Sequence, residues 1–172
     1  MRKLILQLAV SLDGFIEGPN GEFDWCFTDQ DYGMKEFFKR IDAVFFGRKS
    51  YEVAMSIPDN AGWMPPVKQY IFSNTLTSVE QPAELVQGDT ISKVTSIKSQ
   101  PGKDIWLFGG ASLTKSLLEA KLVDELILAV HPILLGNGKR LFQDITDRIN
   151  LKLLHTKEYS SGLVMLSYGL KK

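Results

Sequence analysis

Short, nearly continuous apolar runs, broken at their ends by glycine or hydroxyl residues, constrain this chain more than any other feature. Lys3 to Ser11, Ala43 to Gly47, Val67 to Ser73, Asp104 to Phe108 and Glu125 to Ile133 are such runs. Apolar positions that do not alternate mark strands covered on both faces, the habit of parallel sheets. Amphipathic stretches lie between them. Asp31 to Ile41 places Met34, Phe37, Phe38 and Ile41 at helical spacing, and Ala111 to Lys121 carries Leu113, Leu117 and Leu118 on one face. Arg48 to Met55 reads as a short helix entered directly from a strand, Ile91 to Ser99 fits a helix, and Glu84 to Gln87 fits a short strand. The segment from Asp13 to Gly21 is too turn-rich for regular structure, and Pro58, Gly62, Pro65 and Pro66 mark a loop. Leu151 to Glu158 and Leu163 to Leu170 flank Tyr159-Ser160-Ser161-Gly162 as a closing hairpin. The pattern predicts one α/β domain over residues 1–172, with a mostly parallel sheet, helices on both faces and a C-terminal antiparallel hairpin.

Composition narrows the function. With 172 residues and 44% of them apolar, the chain has material for one core. Twenty basic and 20 acidic side chains cancel, so no charge excess draws it to nucleic acid or to an anionic membrane. The single cysteine, Cys26, excludes an internal disulfide framework and a multi-cysteine metal site, and fits a reducing cytoplasmic setting. Neither His131 nor His155 has a second ligand at metal-binding spacing, so no metal is expected. The apolar run from Leu126 to Leu135 is broken by His131-Pro132 and falls well short of the roughly 20 residues of a membrane span.

Ligands of open α/β sheets collect at the carboxyl ends of strands. The junctions there are Ala9 to Asp13, Gly47 to Ser50, Ser73 to Thr75 and Gly109 to Leu113. Gly47-Arg48-Lys49-Ser50 sets two cations and a hydroxyl at a helix start, where free amides already favour an anion. The plain alternative is a pair of solvated surface charges. Gly109-Gly110 would let a pyrophosphate approach the backbone, although a tight structural turn also explains it and the G-x-G-x-x-G pattern is absent. Gly136-Asn137-Gly138-Lys139 departs from the Walker pattern and reads as a loop.

Taken together, Ser11-Leu12-Asp13-Gly14-Phe15-Ile16, Gly47-Arg48-Lys49-Ser50-Tyr51-Glu52, Phe108-Gly109-Gly110-Ala111-Ser112-Leu113 and His131-Pro132-Ile133-Leu134-Leu135-Gly136 resemble the dihydrofolate-reductase-like superfamily. The nearer match is the reductase domain of bifunctional riboflavin-biosynthesis enzymes and its stand-alone relatives. The resemblance implies an eight-stranded, largely parallel sheet that binds NADPH along its strand ends, and a homodimer. It places Gly47, Arg48, Lys49 and Ser50 on the phosphates, with Arg48 as the main charge partner of the adenosine 2′-phosphate. Ser73 and Asn74 would flank the adenine ribose, and Gly109, Gly110, Ala111, Ser112 and Leu113 would wrap the pyrophosphate. A cis Gly109–Gly110 bond is frequent in such proteins. Ala9 would lie by the nicotinamide, and Asp13 would face the substrate or nicotinamide side; the product's proton would come from water, or from Asp13 or Asp31 as general acid. The implied activity is NADPH-dependent hydride transfer to a C=N or C=O of a small heterocyclic or sugar-derived compound, with 5-amino-6-(5-phosphoribosylamino)uracil the natural candidate. Asp24-Trp25 stands where folate enzymes carry Pro-Trp. Dihydrofolate reduction, or NADP binding without turnover, are the alternatives.

Overall fold

Strand β1 (Leu4–Ser11) runs through the middle of the sheet, hydrogen-bonded in parallel to β6 (Asp104–Gly109) on one side and β7 (Glu125–His131) on the other. The computed structural model describes residues 1–57 and 64–171; the expected loop residues Pro58 and Gly62 lie outside them. The remaining strands are β3 (Ile41–Gly47), β4 (Lys68–Phe72), β5 (Glu84–Val86), β9 (Leu151–Glu158) and β10 (Val164–Leu170), in the order β5-β4-β3-β6-β1-β7-β10-β9. Only β10 runs against its neighbours, pairing antiparallel with both β7 and β9. The expected mostly parallel sheet with a terminal antiparallel hairpin is therefore present.

Helices cover both faces. Helices α1 (Met34–Arg40) and α2 (Arg48–Ser56) bury Phe37, Tyr51 and Ala54 against Ile5, Val44, Phe46 and Trp106. Helices α3 (Thr90–Ser99) and α4 (Ala111–Glu119) bury Val94, Ile97, Leu113 and Leu117 against Leu4, Leu6, Phe45 and Leu107. The two face sets alternate along β1, so its unbroken apolar run serves both cores at once. At the amino ends of the strands charge pairs close the sheet: Arg40 bonds Glu125 and Asp104, and Lys98, 1% exposed, pairs with Asp124 at 2.5 Å.

Three local readings are corrected. Helix α1 starts at Met34 rather than Asp31, because Gly33 turns the chain at φ 82°, and Ile41 already belongs to β3. The segment read as pure turn contains β2 (Phe15–Glu17), which pairs antiparallel with β8 (Lys139–Arg140). Residues this few show no periodicity, so only their pairing across the molecule makes them strands. No helix is long and apolar enough to cross a membrane among the described residues.

Candidate active site

A cleft of about 1400 Å³ opens where β1, β6 and β7 end, on the sheet face covered by α1 and α2. One corner is built from glycine. Gly109 and Gly110 hold φ 141° and 105°, and a Cβ on Gly110 would stand 3.2 Å from the Cα of Gly47. A Cβ on Gly47 would stand 3.4 Å from Gly109 O and Gly110 Cα. The ends of β3 and β6 thus approach to a distance that a side chain would fill. Helices α2 and α4 start directly at Gly47 and Gly110, and neither start has a side-chain cap, so their first-turn N–H groups stay available. Thr114 lines this corner, 1% exposed, its N–H bonded to Gly110 O at 2.9 Å and its hydroxyl without a partner among the described residues. A buried hydroxyl left unpaired costs about 1–3 kcal/mol, which a ligand oxygen would recover. Ser50 stands at the same corner, its Oγ 3.7 Å from where a Cβ on Gly110 would be, and Lys49 from the same helix start also lines the cleft.

The other end lies over β1, β7 and β10, with Gln7, Ala9, Ala129, Leu163 and Met165 as its floor. Met34 and Phe38 wall it from α1, with Asp31 and Lys35 exposed at the rim. His131, 3% exposed, is held from both sides: Nδ1 lies 2.9 Å from Ala129 O, and Nε2 accepts the Phe27 N–H at 3.1 Å. That arrangement fixes the Nδ1–H tautomer. Burial pushes the imidazole pKa below its ordinary value, opposed by the backbone contacts, so the ring is neutral. Trp25 and Phe27 meet it edge-on, with centroids 5.3 and 5.0 Å away. Cys26 also lines the cleft, but burial, followed by the charge of Asp24, pushes its thiol up to about 11. It is no nucleophile at neutral pH.

A family model for the RibD C-terminal domain matches residues 2–165. The chain belongs to that family. Among relatives of this RibD C-terminal domain, the uncharacterized protein YyaP of Bacillus subtilis (strain 168) is 44% identical over 97% of this chain and 94% of its own. A putative riboflavin biosynthesis protein of Shewanella sp. PV-4 has the same fold, with a TM-score of 0.88 and 24% identity over 99% of both chains. Enterococcus faecalis dihydrofolate reductase, solved with NADP(H), superposes with a TM-score of 0.72 and 16% identity over 99% of this chain and 97% of its own. The fold is dihydrofolate-reductase-like.

Within this RibD C-terminal domain, Ala9, Lys49, Ser50, Gly109, Gly110, Ala111 and Asp31 all line the cleft. Gly47 stands behind the glycine corner. Arg48 does not line it: its guanidinium pairs with Glu52 at 3.1 Å one helical turn on, and the neighbouring Lys49 occupies the wall instead. Ser112 is exposed and outside the cleft lining, and Leu113 is buried in the core beneath α3 and α4. Ser73 and Asn74 close the turns after β4, where Ser73 Oγ accepts Leu76 N–H and Asn74 Oδ1 accepts Gly88 N–H. The Gly109–Gly110 bond is not cis; the cis bond among the described residues is Gln81–Pro82.

Asp13 is the clearest correction. It lies outside the cleft lining, and its carboxylate takes the Ser11 hydroxyl at 2.6 Å and the N–H groups of Leu135 and Gly136 at 3.1 and 2.8 Å. These hydrogen bonds, that of Ser11 foremost, hold its pKa at about 2, so it has no proton to donate near neutrality. Thr114, Gln7 and His131 are the site residues that sequence reasoning missed. A polar residue inside an apolar strand, as at Gln7, was the available signal for one of them.

Proposed function

We propose that the protein is an NADPH-dependent reductase acting on a C=N or C=O of a small heterocyclic or sugar-derived compound. The glycine corner with the orphaned Thr114 hydroxyl carries this reading: two uncapped helix starts converge there, and Lys49 adds a cation. The residues therefore fit a dinucleotide's phosphates. Gly47, Gly109, Gly110 and Ala111 would hold the pyrophosphate by backbone, Thr114 by its hydroxyl, and Lys49 the 2′-phosphate. Reduced NADP, when bound, supplies the hydride. Ala9 and Ala129 leave a flat floor for a ring, while Phe38 and Met34 exclude water above it. Asp31, one of the carboxylates lining the cleft beside Glu17 and Glu52, can hold or relay a proton at the mouth, directly or through water.

The substrate 5-amino-6-(5-phosphoribosylamino)uracil belongs to this proposal. It is supported by membership of the RibD C-terminal family and by the fold shared with the putative riboflavin biosynthesis protein. A cytoplasmic homodimer completes the reading, with Leu151, Leu153 and Leu154 exposed on the edge strand β9 as the apolar surface a second copy would cover. Sedimentation as a monomer at micromolar concentration would remove the dimer.

Calorimetric titration with NADPH and NADH tests the core of the reading. Wild type should prefer NADPH by about tenfold or more, or about 1.4 kcal/mol. Lys49→Ala should erase that preference and Arg48→Ala should leave most of it. Binding of neither nucleotide would end the reductase reading.

A further inference from the structure

Gln7 is an anomaly on the cleft floor. It is 7% exposed, sits in a strand otherwise apolar from Leu4 to Val10, and lines the cleft between β1 and α1. Its amide nitrogen donates to the Met34 sulfur at 3.2 Å, and its side chain has no other partner among the described residues. A thioether is a weak acceptor, so a carboxamide with two donor hydrogens and an acceptor oxygen is left largely unanswered. The Trp25 Nε1–H, buried behind His131, has no partner among the described residues, but Trp25 is not part of the cleft lining. The buried polar side chains that do line this end beside Gln7 are occupied. His131 uses both ring nitrogens, and the Tyr32 hydroxyl is shared by Asp29 at 2.7 Å and Ser161 at 2.9 Å. Charge does not decide recognition there: Asp31 and Lys35 stand exposed together at the rim with opposite signs, and Lys139 pairs with Glu17 at 3.5 Å. The remaining walls are aromatic or thioether, with Phe27, Phe38, Met34 and Met165 foremost.

We infer that Gln7 is the specificity-determining residue of this cleft, its carboxamide reading the adjacent ring N–H and C=O of the flat, uncharged lactam ring of its substrate. The inference rests on the reductase reading and deepens it. A carboxamide complements a lactam edge by two parallel hydrogen bonds, one in each direction. A site with such a buried polar reader rejects an analogue that lacks the N–H, because the reader is then left unpaired.

Isothermal titration of the full chain with NADPH, then of the NADPH-loaded protein with lumazine and with 1,3-dimethyllumazine, tests this. The methylated compound keeps the ring and the carbonyls but loses both lactam N–H groups. Wild type should bind lumazine about tenfold or more tightly than the methylated form. Gln7→Met, close in shape, should bring the two within about twofold. Gln7→Leu, which removes both the donor and the acceptor at similar volume, should also lose the preference and serves if the Met variant does not fold. Equal binding of both compounds by wild type, or a preference that survives both substitutions, overturns the assignment. NADPH binding with neither lumazine bound overturns the lactam class alone, and absence of NADPH binding overturns the reductase reading together with it.

Discussion

The Asp13 carboxylate accepts the backbone N–H of Gly136 at 2.8 Å, tying the loop after β1 to the loop after β7. The two loops lead into β2 and β8, whose pairing brings Ile16, Glu17 and Lys139 to the cleft. Asp13 thus shapes one wall of the cleft while lying outside its lining.

Removing that tie should free the loop. In Asp13→Ala the amides of Leu135 and Gly136 should exchange hydrogen faster than in wild type, while those of β7 hold. The pH dependence follows from a folded-state pKa of about 2 against an ordinary 3.8. A depressed carboxyl pKa adds stability above the ordinary value and loses it as pH falls toward the folded one. Wild type should therefore lose this contribution between about pH 4 and pH 2, and Asp13→Ala should show a flatter acid limb in thermal melts.

His131 has the same sign of shift but a different window. Its folded-state pKa lies below 6.5, so the stability it contributes is complete above that pH and declines as pH falls below it. Protonation would set an N–H against the Phe27 N–H at Nε2. Nitrogen-15 NMR should find the neutral Nδ1–H tautomer at pH 7. His131→Ala should cost about 1–3 kcal/mol by leaving the Phe27 donor unpaired. A ring that titrates above 6.5 would contradict this.

Gly110→Ala should fail in two ways. Its φ of 105° is strained for any side chain, and the added methyl meets the Cα of Gly47 at 3.2 Å. A loss of about 1–3 kcal/mol in denaturant unfolding is expected. NADPH affinity should fall by about tenfold or more in calorimetry, since the same corner holds the phosphates. Retained affinity in the folded variant would place the nucleotide elsewhere.

The Lys98–Asp124 pair at the far end of the sheet is expected to govern stability and not the site. Lys98 also bonds the carbonyl of Leu122, and Asp124 accepts the N–H of Leu4 at 2.8 Å. Asp124→Ala leaves a buried ammonium uncompensated and should cost about 3–5 kcal/mol. Lys98→Met combined with Asp124→Leu should recover much of that loss. Strictly additive losses in the double mutant would show that the two charges are uncoupled.

The expected strands and most of the helices are present because local pattern suffices for them. Unbroken apolar runs demand cover on two faces, and β1 receives it from both helix pairs. Helix α4 keeps its leucines on one side, and the glycines at 47, 109 and 110 stand where backbones meet. Arg48 and Lys49 show where this reasoning stops. Successive helical residues point about 100° apart. Whether the first or the second cation reaches the cleft depends on how α2 is seated on the sheet, and Glu52 then captures Arg48.

By itself, the sequence determined the α/β class, the positions of the glycine junctions and the family, because each is encoded in neighbouring residues or in motifs of a few positions. Only the tertiary structure decided that Asp13 is a tie and no acid, that His131 is a neutral wall, and that Thr114 and Gln7 face the cleft. The physical reason is that a side chain's protonation and free hydrogen bonds are set by its partners, and these partners come from distant chain. Leu135 is 122 positions from Asp13, and Phe27 is 104 from His131. Gln7 meets Met34 across 27 positions, and the hydroxyl of Thr114 is buried by packing that no local pattern encodes.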